Sequence, residues 1–146
     1  MRWLEIVETA MLSESSENDA KIDELLHDWV ISSLSAHEKR KQVTKELLNM
    51  SIDPQYRAVP SDTLYRFQLD NASTGLIESW SYSVNGAKKI ASYYAKSGLE
   101  GKIISKPVSE ANVLICIPTF YRLTKIFSGR QFMRLVQNER EVLVIS

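Results

Sequence analysis

The sequence predicts an α+β fold, with helices first and short strands after them, in a single domain (1–146) whose character changes near residue 60. Three observations carry that expectation. Ile22, Leu25, Leu26, Trp29 and Val30 fall at i, i+3, i+4, i+7 and i+8, the apolar stripe of an amphipathic helix. Residues 63–69 alternate apolar and polar, as a half-buried strand does. Val142-Leu143-Val144-Ile145 is a short β-branched run of the kind found in buried strands. A helical part over 1–60 followed by a strand-rich part over 61–146 is the segregated arrangement of an α+β domain.

At 146 residues the chain can bury a real core, and 44% hydrophobic with 25% charged residues argues against disorder. Lysine plus arginine balances aspartate plus glutamate at 18 each, so charge gives no reason to expect a nucleic acid or membrane partner. No apolar run approaches the ~18 residues of a membrane span. Glu5 and Glu8 interrupt the first apolar stretch, so no secretory leader is expected and a cytoplasmic location is the default. Cys116 stands alone inside Val113-Leu114-Ile115-Cys116-Ile117 and reads as a small buried hydrophobe. His27 and His37 lack further ligands at metal spacing, so no metal is expected.

In chain order, Trp3, Val7, Ala10 and Met11 suit one helical face, although 3–7 also fits a short strand. A polar break is expected over 13–18, and the amphipathic helix through Trp29 follows. Ser35-Ala36-His37-Glu38 has capping-box spacing for a second helix, with Val43, Leu47 and Met50 inward and Lys39, Arg40, Lys41 and Lys45 outward as a solvated face. Pro54 and Pro60 mark 51–60 as a connection. After the strand at 63–69, Asp70-Asn71 reads as a turn and 76–83 as a second strand. Ser83 is placed to cap a helix carrying Val84, Ala87, Ile90, Ala91 and Tyr94 on one face, ended by Ser97-Gly98. Residues 102–108 and 112–117 read as a hairpin or two neighbouring strands. Over 119–137 the pattern is mixed, with Ser128-Gly129 separating two helical turns, and the last strand begins at Glu141.

Three features of the second half carry chemistry. Arg66 lies mid-strand between Tyr65 and Phe67, where a guanidinium can clamp an anion beside a stacking ring. In Ser79-Trp80-Ser81-Tyr82-Ser83 the hydroxyls recur at period two and share a face. Glu139-Arg140-Glu141 then runs into the final strand. Read alone, its two glutamates point into water where a loop meets a strand, as most isolated Glu-x-Glu pairs do.

This order resembles that of the R-S-E mono-ADP-ribosyltransferases, the cholera-toxin-like group whose members include transferases of T-even phages. Ser79-Trp80-Ser81 is similar to the group's Ser-(aromatic)-(Ser/Thr) strand, and Ala87-Lys88-Lys89-Ile90-Ala91 to its Ala-x-x-(aromatic)-Ala helix. Glu139-Arg140-Glu141-Val142-Leu143 is similar to its Glu-x-Glu-Val-Leu ending. The resemblance starts near Leu64, leaves the first sixty residues unexplained, and departs at Ile90, where the group has an aromatic.

The resemblance implies a compact ADP-ribosyltransferase-like β-sandwich of short strands, with NAD as a consumed substrate and no metal. It implies Glu141 as the carboxylate at the reacting ribose, Ser79 holding it, and Glu139 facing an acceptor arginine on a target protein, a host protein if the chain is phage-encoded. Arg66 would grip the pyrophosphate, with Ser81, Tyr65 and Phe67 completing the NAD site, and Phe67, Tyr82 or Phe120 would stack on nicotinamide. Two other readings stand beside it. One is a host-factor-binding protein without catalysis, using Trp3 and Trp29 as helical anchors. The other is an NAD glycohydrolase on the same fold.

Overall fold

A computed structural model describes residues 3–31, 37–69, 75–96, 98 and 100–146. The chain divides into two compact units, Met1–Ser51 and Ile52–Ser146.

The first unit pairs α1 (Trp3–Ile31) with α2 (His37–Asn49). Ile22, Leu25, Leu26 and Trp29 of α1 are buried, as are Val43 and Leu47 of α2. The polar break expected at 13–18 is instead continuous helix. That stretch contains neither glycine nor proline, and polarity without a breaker does not end a helix. The Ser35 cap lies outside the described residues. Arg40 departs from the solvated face expected for it. Its guanidinium lies 4.4 Å from the Trp29 ring centroid and donates to the Trp29 carbonyl at 3.3 Å, using the flat apolar face that lysine lacks.

The second unit contains β1 (Thr63–Leu69), β2 (Ile77–Ser81), α3 (Val84–Lys96), β3 (Gly101–Pro107), β4 (Asn112–Cys116), α4 (Ile117–Thr124), α5 (Arg130–Glu139) and β5 (Glu141–Ile145). The Asp70-Asn71 turn and Ser97 fall outside the described residues, and Gly98 has the left-handed φ of +75°. The strands form one antiparallel sheet in the order β3-β1-β2-β5-β4. Thus β3 and β4, expected as a hairpin or as neighbours, occupy opposite edges. Each finds its partner elsewhere, β3 on β1 and β4 on β5.

That topology cannot be flat. Four strand spacings would separate β3 from β4 by ~19 Å, and Pro107 and Asn112 would also lie toward opposite strand ends. The five residue steps joining them reach at most ~18 Å. The sheet therefore curves round on itself, and its sparsest pairing is the β1–β2 seam, joined by the pair Tyr65↔Ser81. By contrast, β1 and β3 are paired along all of β1. The α+β class expected from the sequence is thus present, with its strands in a single five-stranded antiparallel sheet. Leu64, Trp80, Cys116, Val142 and Val144 fill the bend, with Ile104, Val108 and Val113 packed against them.

Cys116 has no exposed surface, and burial pushes its thiol pKa above the ordinary value. The native protein is therefore expected to resist iodoacetamide at neutral pH and to take up one equivalent in denaturant. Rapid labelling of the folded chain would contradict this burial.

Candidate active site

Alternation and register sort the expected site residues onto two faces. The pairs Tyr65↔Ser81, Ser81↔Glu141 and Ser79↔Leu143 put Tyr65, Phe67, Ser79, Ser81 and Glu141 on one face. Leu64, Arg66, Glu78, Trp80, Val142 and Val144 occupy the other, the face that fills the bend.

On the first face the Ser79 hydroxyl donates to Glu141 Oε2, side chain to side chain across β2 and β5. One strand-end further, Ser81 Oγ donates to the Glu139 carbonyl at 2.7 Å and accepts from the Ser83 amide at 3.2 Å. Ser83 caps α3 as its sequence predicts, accepting from the Gly86 amide at 2.9 Å. The Tyr82 amide donates to the Arg140 carbonyl at 3.2 Å. The end of β2, the start of α3 and the α5–β5 corner are thus tied into one polar network.

Glu139 and Glu141 are both 5% exposed, not the solvated pair that the motif alone suggests. Burying two carboxylates this close is costly unless each is hydrogen-bonded. Glu139 is also not on an extension of the strand. It closes α5, on the face shared with buried Phe132 and Val136. Arg140 then turns the chain in the left-handed region at φ 49°, ψ 47°, and β5 begins at Glu141. A non-glycine residue held there costs on the order of 1 kcal/mol. The corner thereby places two buried glutamates, one ending a helix and one opening a strand, two residues apart.

Sequence reasoning missed two members of the site. Gly86 of α3 lies so close to the Glu139 carbonyl and Ser81 Oγ that a Cβ would overlap both. Tyr93, two helical turns further along the same face, hydrogen-bonds the Glu139 side chain. Burial first, and then the charge of Glu139, that hydrogen bond and the charge of Glu141, push its hydroxyl pKa above the ordinary tyrosine value. It therefore stays a donor at neutral pH. Helical spacing is the signal that could have found both residues, since Gly86, Ile90 and Tyr93 fall at i, i+4 and i+7.

Arg66 is not brought to Ser79 and Glu141. Its Nη1 lies 2.5 Å from Glu78 Oε2, and Trp80 Nε1 donates to the other Glu78 oxygen at 3.2 Å. One-residue alternation on β1 sends its guanidinium to the opposite face from its neighbours Tyr65 and Phe67. The stacking candidates also separate. Phe120 is fully buried, edge-on to Tyr56 and Tyr121, and Tyr82 packs against the apolar core, whereas Phe67 shares the face of Glu141. Among the described residues there is no group of three or more His, Cys, Asp or Glu that could hold a metal, and no helix long and apolar enough to cross a membrane. The sequence matches no protein-family model, and comparison with curated proteins and with solved structures finds no match.

Proposed function

We propose that this chain is a mono-ADP-ribosyltransferase that moves ADP-ribose from NAD to an arginine of a target protein and releases nicotinamide. The observation that carries the reading is the buried Glu141 carboxylate held by the Ser79 hydroxyl beside a second glutamate. Under this reading the bent sheet stands for the sandwich core that the family resemblance implies.

The chemistry accounts for the residue types. Breaking the nicotinamide–ribose bond develops positive charge on the ribose, as in glycoside cleavage. Glu141 stabilises that charge through the ribose 2′-hydroxyl, and because Ser79 already fixes its carboxylate, little reorganisation is needed as the bond breaks. Glu139 lies on the acceptor side, where it orients a guanidinium and takes its proton. The pyrophosphate-gripping role expected of Arg66 finds no support in its pairing with Glu78 across the sheet. Tyr65 and Phe67 remain suited by their face to line an NAD site.

The test is label transfer from adenine-labelled NAD into a bacterial lysate, with nicotinamide release measured in parallel. Wild type is expected to label a band and to release nicotinamide. Glu139→Ala should lose transfer by on the order of a hundredfold while still releasing nicotinamide. A wild-type chain that neither labels protein nor consumes NAD would sink the proposal.

A further inference from the structure

Resting on the transferase reading, we infer that Tyr93 is a positioning residue for Glu139 and so sets how well an acceptor guanidinium competes with water for the ADP-ribose. The argument begins with α3. Gly86 and Tyr93 are seven residues apart and therefore share a helical face. Gly86 meets the Glu139 main chain, and Tyr93 meets its side chain. One helix thus holds this glutamate at both ends.

Glu139 needs such a hold. It closes α5, where the carbonyl end of the helix disfavours negative charge, and it is almost fully buried beside Glu141. Without a donor its carboxylate would turn away from the cluster. Tyr93 supplies the donor and is itself 39% exposed, so its ring stands at the border between the buried pair and solvent. A guanidinium arriving from solvent therefore meets Tyr93 first and Glu139 beneath it. A planar cation can lie against the ring while donating to the carboxylate. Water can accept help from a carboxylate but cannot lie against the ring and bridge both groups as a guanidinium does.

Tyr93→Phe removes the hydroxyl and keeps the ring. With labelled NAD and agmatine as a free guanidinium acceptor, the ratio of transfer to NAD hydrolysis is expected to fall about tenfold. If transfer and hydrolysis fall in the same proportion, or the ratio is unchanged, the inference is wrong and the transferase reading stands. A wild-type chain that consumes no NAD defeats that reading, and the assignment of Tyr93 falls with it. A thermal double-mutant cycle gives a readout independent of turnover. Tyr93→Phe should lower the melting temperature of wild type more than that of Glu139→Ala, and equal shifts in the two backgrounds would overturn the hydrogen bond on which the inference depends.

Discussion

Glu141→Gln is expected to lower nicotinamide release from NAD by a hundredfold or more while leaving the protein at least as stable as wild type. The two halves of that expectation have one cause. Glutamine keeps the shape of the side chain and an oxygen to accept from Ser79, and removes only the negative charge. A fixed charge facing a developing cation is worth roughly two orders of magnitude or more in rate. The same charge is a liability in the resting protein, where Glu141 is 5% exposed and lies beside Glu139. Removing one of two buried like charges is neutral or stabilising. Parallel measurement of nicotinamide release and melting temperature decides it. Near-wild-type release would remove Glu141 from the chemistry, and a collapse in melting temperature would make it a structural residue.

Gly86→Ala is the second large effect, and it touches no carboxylate directly. A methyl group there would overlap the Glu139 carbonyl and Ser81 Oγ together, and the first of these is main chain that cannot rotate away. Overpacking of this kind costs ~1–3 kcal/mol. In a unit of this size that lowers the melting temperature by roughly 5–20 °C. Whatever relief the structure finds must push α3 away from the α5–β5 corner and carry Glu139 and Tyr93 apart. Misplacement by about an ångström can cost a hundredfold in rate. An alanine variant that melts and turns over like wild type would mean that the close approach of α3 is not what seats the glutamates.

Elements with a local cause were legible in the sequence. The Ile22–Trp29 stripe, the Ser83 cap and the β-branched final strand each follow from residues a turn or a strand apart. Pairing was not, because it depends on residues distant in the chain. β3 and β4 are separated by a short connection that favours a hairpin, yet the longer ladder to β1 claims β3. The position of Arg66 has the same origin. That it lies opposite to Tyr65 and Phe67 follows from its place in the strand. Which of these faces joins Ser79 is decided only by Tyr65↔Ser81, and a register slip of one residue would have reversed it. Glu139 was more legible than its motif suggested, since Phe132, Val136 and Glu139 fall at helical spacing and place a carboxylate on the core-facing side.

The seam between β1 and β2 has an energetic consequence as well as a geometric one. Ladders on either side of it run the length of their strands, while the seam itself is held by a single residue pair. Backbone pairing is thus sparsest there, and side chains make up the join: Arg66 of β1 meets Glu78 of β2, and Leu64 packs with Trp80 and Val142. The two halves of the sheet are held to one another chiefly through these side chains on the core face. The bond between Ser79 and Glu141 lies on the other face, within the half whose ladder is complete.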